Sequence, residues 1–256
     1  MLCVLAALGA IPAIIAFTCM PALPARIWWC ALVSGTLCGM YYFSLARAYS
    51  SGEFTMVYPV ARALPVLIVG VADMLRGRSP TVAGWCGMAL VTAAILLLPF
   101  QSFRALSAKD YLNRTTLWCL LAALGTVGYT VADKFAAEAV HNDPAYAALY
   151  CYIFFVVSAV AYLMTLVLFG KLRADVTSVG WKRPALGGIL NFGAYWMILW
   201  AYQLAERAAY VLALRQFSIL VGVVFGAVRF REGRAAIRII AACVMAAGFV
   251  LIGLFG

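Results

Sequence analysis

The sequence predicts an all-α integral membrane protein, a bundle of about nine transmembrane helices arranged as an inverted repeat. Composition, long unbroken apolar runs and an internal self-match lead to this class. Of 256 residues, 66% are apolar and only 11% are charged, and the mean hydropathy is +1.00. Ordinary soluble domains are about 45–50% apolar and about 25% charged, because a water-facing surface needs polar cover. The solvent here is therefore lipid, which excludes soluble enzymes, nucleic-acid readers and disordered chains. The net charge of +10 reads as loop charge at a membrane surface rather than as the footprint of a nucleic acid.

A helix needs about 20 apolar residues to cross a hydrocarbon core of ~30 Å. Nine runs meet that need: 2–18, 27–46, 55–75, 80–100, 115–137, 145–169, 184–204, 208–228 and 235–255. They are continuous rather than alternating, which is the helical signal and not that of a barrel. The first run, followed by Ala22 and Ala25, has the outline of a secretory signal, but no basic residue precedes it, so it is read as a span. Residues 101–114, with Arg104, Lys109, Asp110 and Arg114, read as a linker between a first half, 1–100, and a second half, 115–256. Pro59 and Pro65 predict a kink in the third run. Gly222 and Gly226 form a GxxxG step in the eighth, a spacing suited to close helix contact. Basic residues favour the N-terminal side of the spans, twelve against five, which places the N-terminus inside and the C-terminus outside.

An offset of 153 residues pairs Trp28 with Trp181, Tyr42 with Tyr195, Tyr49 with Tyr202, Glu53 with Glu206, Arg62 with Arg215, Arg76 with Arg229 and Arg78 with Arg231. It also aligns Val91 with Val244. Apolar matches are cheap in this composition, whereas matched Trp, Tyr, Glu and Arg are not. The offset carries spans one to four onto six to nine, and a shift of five crossings inverts the second copy. Transporters built this way hold substrate near the midplane. The fifth span would correspond to residues preceding Met1, so either the chain is a nine-helix protein or a first helix has been lost at the start.

Ala48-Tyr49, Gly52-Glu53 and Val57-Tyr58-Pro59-Val60-Ala61-Arg62 resemble a run typical of EamA-like members of the drug/metabolite transporter superfamily. Tyr210-Val211, Leu214-Arg215-Gln216, Ser218 and Phe230-Arg231-Glu232 look like the counterpart segment. The resemblance covers nearly the whole chain and implies ten helices in a five-plus-five inverted repeat, both termini cytoplasmic, and export or import of a metabolite. This chain departs from the pattern in lacking the first helix. It also carries Arg76-Gly77-Arg78 where an acidic residue often follows the Gly.

Candidate site residues follow from the cost of polar groups in lipid. Arg62 and Arg215 sit at equivalent places about seven residues into their spans, where charge costs several kcal/mol unless it finds partners. They either offer guanidinium forks to an anionic substrate or satisfy helix-end carbonyls and nearby acids. Tyr42 and Tyr49 share a helix face, and Tyr195 and Tyr202 repeat this, with Asn191 one turn before Tyr195. The stripe lines a cavity or is bundle packing, and Tyr58, Trp196 and Trp200 are weaker versions of the same case. Glu53 and Glu206, in turns before the third and eighth spans, are caps or proton-coupling carboxylates. Asp73 and Asp133 lie near span ends, the latter beside Lys134.

The expected function is transport of a small metabolite by alternating access across the cell (inner) membrane, the arginines favouring a carboxylate-bearing solute such as an amino acid or organic acid. An intramembrane lipid-modifying enzyme is the first rival, but it wants a histidine, an acid dyad or an activated nucleophile. The single histidine, His141, lies in a polar run. A non-catalytic assembly subunit is the second rival. The eight cysteines form no CxxC pair, and no metal, cofactor, catalytic residue or nucleic-acid partner is expected.

Overall fold

The computed structural model describes residues 1–19, 23–51, 54–98, 114–140, 142–169, 180–230 and 235–256. Ten helices occupy them, with no strand among the described residues: α1 (Leu2–Cys19), α2 (Ala25–Ser51), α3 (Phe54–Leu75), α4 (Val82–Leu97), α5 (Arg114–Ala137), α6 (Pro144–Leu168), α7 (Lys182–Leu204), α8 (Ala208–Arg215), α9 (Phe217–Phe230) and α10 (Ala235–Phe255). Most boundaries fall within a few residues of the apolar runs. Local chemistry sets several of them. Asp143 caps α6 by accepting from the amides of Ala145 at 2.8 Å and Tyr146 at 3.4 Å, with Pro144 at the first helical position. Thr81 caps α4 through the Gly84 amide.

Two departures from the sequence reading stand out. The single span expected over 208–228 is two helices, and the break has a side-chain cause rather than a proline. The Gln216 amide group donates to the Leu212 carbonyl at 3.2 Å, the acceptor its own backbone N–H would use in a regular helix. That N–H turns to Ala213 instead. A side chain inserted into the i→i−4 ladder is a recognised origin of a break. In contrast, α3 runs as one helix through Pro59 and Pro65. Second, among the described residues three helices are long and apolar enough to cross a membrane, Ala25–Ser50, Thr115–Ala137 and Pro144–Leu168, while the apolar stretches Val82–Leu97, Ala208–Gly222 (across the turn at Gln216) and Ile239–Phe255 are shorter. The 16 residues of α4 extend only about 24 Å at a rise of 1.5 Å per residue.

The surface is what a lipid-facing chain requires. Ile11, Trp29, Met164, Leu190, Met197 and Phe225 are exposed, whereas Ser34, Thr130, Asp133 and Ser158 have no exposed surface at all. Apolar side chains outside and polar ones inside reverse the usual soluble arrangement.

The chain divides into two compact units that do not follow the division at 101–114. Unit 1 joins Met1–Phe43 to Gly128–Glu206, and unit 2 joins Ser44–Val127 to Arg207–Gly256. In unit 1, α2 and α6 run parallel and touch through Gly35 and Gly39. A Cβ on these would fall 2.6 Å from Val157 and 2.7 Å from Ala161. This GxxxG step brings backbones together. Gly222, by comparison, has nothing within 4 Å among the described residues. Behind the contact lies an aromatic core in which Tyr195 stacks on Phe154 at 4.7 Å and meets Phe155 and Tyr129 edge-on. In unit 2, α4 and α10 run antiparallel, with Thr81 Oγ1 donating to the Phe255 carbonyl at 2.8 Å. They cross at Gly87 and Gly248, where a Cβ on either would lie 2.7 Å from the other's carbonyl oxygen.

Gly39→Val is expected to destabilise the protein by about 1–3 kcal/mol, the usual cost of overpacking, because the Ser158 carbonyl lies 3.0 Å from the new Cβ. Gly193→Ala, with nothing within 4 Å, is expected to be neutral or stabilising by up to about 1 kcal/mol. Thermal unfolding in detergent checks both; a Gly39→Val protein as stable as the parent refutes the contact.

Candidate functional site

The buried face of α5 recurs at helical spacing through Ala122, Thr126, Tyr129 and Asp133. Asp133 is fully buried. Removing a carboxylate from water costs several kcal/mol unless its oxygens are hydrogen-bonded. Three hydroxyls from three other helices meet that need. Tyr150 on α6 donates to Oδ1 at 2.7 Å, Ser34 on α2 donates to the same oxygen, and Tyr195 on α7 donates to Oδ2. Ser34 also lies 3.4 Å from the Tyr129 carbonyl. A small hollow with room for about one water molecule lies beside Asp133 and is lined also by Tyr146, Ala147, Leu199 and Gln203.

Lys134 is adjacent in sequence but has other work. Successive helical residues do not face each other, and the Lys134 ammonium donates to the carbonyls of Tyr202 at 2.8 Å and Ala205 at 2.5 Å. These belong to the last turn and C-cap of α7, where orphan carbonyls and the helix dipole favour a cation. Glu138, one turn on, lies 3.5 Å from the same ammonium. The connection between α5 and α6 is fastened by α7. Trp196 donates to the Pro144 carbonyl at 2.8 Å, Trp200 to Asn142 at 2.9 Å, and the Gln203 amide exchanges hydrogen bonds with the Asp143 backbone at 2.7 and 3.2 Å.

The residues singled out from the sequence distribute as follows. Tyr195 belongs to the Asp133 cluster. Tyr42 and Asn191 meet, the amide donating to the phenol at 3.4 Å. Tyr202 is fully buried, and its backbone receives Lys134. These lie in unit 1, whereas Tyr49, Arg62 and Arg215 belong to unit 2. Both arginines are partly buried; they stand on α3 and α8, which pack on each other, and Arg215 occupies the last turn of α8. Glu206 is exposed between α7 and α8, while Glu53 and His141 lie outside the described residues. Ser34 and Tyr150 went unnoticed in the sequence, because a lone Ser or Tyr in an apolar run carries no signal of its own. Asp133 did carry one, an acid within such a run. Among the described residues no group of three or more His, Cys, Asp or Glu side chains converges as a metal site would require.

In unit 2, the buried Asp73 accepts from the Ala209 amide at 2.8 Å, at the start of α8, and from Arg76 at 3.3 Å. It supplies the N-terminal acceptor that Arg207, the residue at the cap position, does not.

Comparison of the chain with models of protein families and with curated proteins gives no match.

Lys134→Met is expected to lower stability by about 1–3 kcal/mol by leaving the α7 carbonyls without a donor. Asp73→Ala should cost a similar amount through the stranded Ala209 amide. Thermal unfolding of the purified proteins measures both, and an unchanged midpoint in either variant refutes its capping role.

Proposed function

We propose that this protein is a multi-pass transporter of the cell (inner) membrane, built as an inverted repeat of about nine crossings and moving a small metabolite by alternating access. The observation that carries the reading is the pairing of helices made equivalent by the 153-residue register. α4 and α10 are equivalents and pack antiparallel, as an inverted copy demands. Burial recurs in that register at Gly84 and Ile237, Met88 and Ala241, Thr92 and Met245, and Ile95 and Gly248, but not at Gly87 and Ala94, whose equivalents Ile240 and Ala247 are exposed. Each compact unit also contains equivalent helices. The first contains α1 with α6 and α7 with the first part of α2, and the second contains α3 with α8 and α9, and α4 with α10. Inverted repeats of this kind underlie many secondary transporters. The resemblance to EamA-like proteins agrees with this reading, and intramembrane charge gives it a functional focus.

Arg62 and Arg215, matched in the register and carried by mutually packed helices, favour an anionic substrate group, which a planar guanidinium binds in bidentate fashion. The substrate class is then a carboxylate-bearing metabolite, an amino acid or an organic acid.

Uptake of labelled amino acids and organic acids into proteoliposomes tests the reading, since a transporter delivers chemically unchanged solute to the lumen. Arg62→Ala and Arg215→Ala are each expected to insert and purify normally yet lose uptake, with only partial rescue by Lys, which keeps the charge but not the fork. Normal uptake in both alanine variants refutes the arginine site; conversion of solute, or no movement of it, refutes transport.

A further inference from the structure

We propose that Asp133 is the proton-coupling site of this protein, taking up a proton from solvent and releasing it again in each transport cycle. The inference rests on the transport reading and adds the coupling ion and its position.

The chemistry of the cage carries the proposal. Asp133 is held by Ser34, Tyr150 and Tyr195, and a hydroxyl both donates and accepts. With the carboxylate ionised, all three donate. When a proton arrives on Oδ2, one hydroxyl turns and accepts from the new O–H while the others lose their charge assistance, so the cage accommodates both protonation states but holds its helices less tightly in the neutral one. Backbone amides or a guanidinium, which only donate, would serve the charged state alone. The cage also ties α5 to α2, α6 and α7. Protonation therefore changes the bonds joining four helices, which is the differential interaction a conformational switch needs. The hollow beside Asp133, with Tyr146 and Gln203 in its wall, leaves room for about one water molecule next to the cage. Lys134, meanwhile, is engaged with the end of α7, so the cluster titrates next to a lysine that has its own structural task.

Among the described residues, the titratable groups around Asp133 include Cys30 on α2, with Arg26 one turn away, Lys134 and Glu138 on α5, Tyr150 and Cys151 on α6, with Tyr146 across the hollow, and Tyr195 on α7. Thiols, phenols, ammonium and guanidinium groups ordinarily titrate above about pH 8. Glu138 carries the other carboxyl among these groups, and the two are separable by mutation.

The test uses the full chain in proteoliposomes, with a labelled mixture of the twenty amino acids and common organic acids as probe. Two quantities are measured, accumulation driven by an imposed pH gradient and exchange of label against the same unlabelled solutes without a gradient. The wild type should do both. Asp133→Asn should keep exchange and lose pH-driven accumulation, while Glu138→Gln keeps both. Ser34→Ala, which retains the carboxyl but removes one donor to its charged form, should move the pH midpoint of accumulation upward and leave exchange intact. Infrared difference spectra between acid and neutral pH should show a protonated-carboxyl band that disappears in Asp133→Asn and persists in Glu138→Gln. Accumulation by Asp133→Asn equal to the wild type overturns the proposal, as does wild-type exchange without any pH-driven accumulation. Absence of exchange in the wild type overturns the transport reading itself, and proton coupling with it.

Discussion

A carboxylate buried among four apolar helices persists only where the protein supplies the hydrogen bonds that water would have made. In unit 1 that requirement governs the arrangement. Ser34, Tyr150 and Tyr195 reach Asp133 from α2, α6 and α7, so the relative heights and rotations of four helices are set by one group. The close parallel contact of α2 with α6 at Gly35 and Gly39 and the stacking of Tyr195 on Phe154 keep two of the three hydroxyls in place. A packing change at those glycines is therefore also a change at the carboxylate.

The same demand for internal satisfaction recurs wherever a helix ends inside the protein. Lys134 serves the carbonyl end of α7, Asp73 the amide end of α8, and the Gln216 side chain the carbonyl left at the break between α8 and α9. Each of these polar residues sits in a run that reads as apolar, and each answers a backbone group deprived of its regular partner. Charge inside the bundle thus has two kinds of task. Lys134 and Asp73 complete helix termini, whereas Asp133 accepts from no backbone group in the hydrogen bonds described above, only from side-chain hydroxyls.

Unit 2 shows how far small residues alone can organise a pair of apolar helices. Lipid offers no hydrophobic drive between helices, so association relies on close packing. Gly87 and Gly248 let α4 and α10 approach to backbone contact, and Thr81 joins the cap of one to the end of the other.

From the sequence by itself follow the helical class, the apolar surface and helix boundaries to within a few residues in most cases, because apolar run length is a property of the chain read in order. The break at Gln216 did not follow, since no proline or glycine marks it and it depends on one side chain displacing a backbone bond. Nor did the partners of Asp133. Ser34 is 99 residues away and Tyr195 is 62 away, and in helices that are apolar nearly all round, periodicity does not tell which face meets which neighbour. The sequence places an acid beside a lysine; the helical rotation between consecutive residues sends one to a hydroxyl cage and the other to the end of α7. Only tertiary packing decides this, because the energy of a buried charge is set by the groups around it in space, not by its neighbours along the chain.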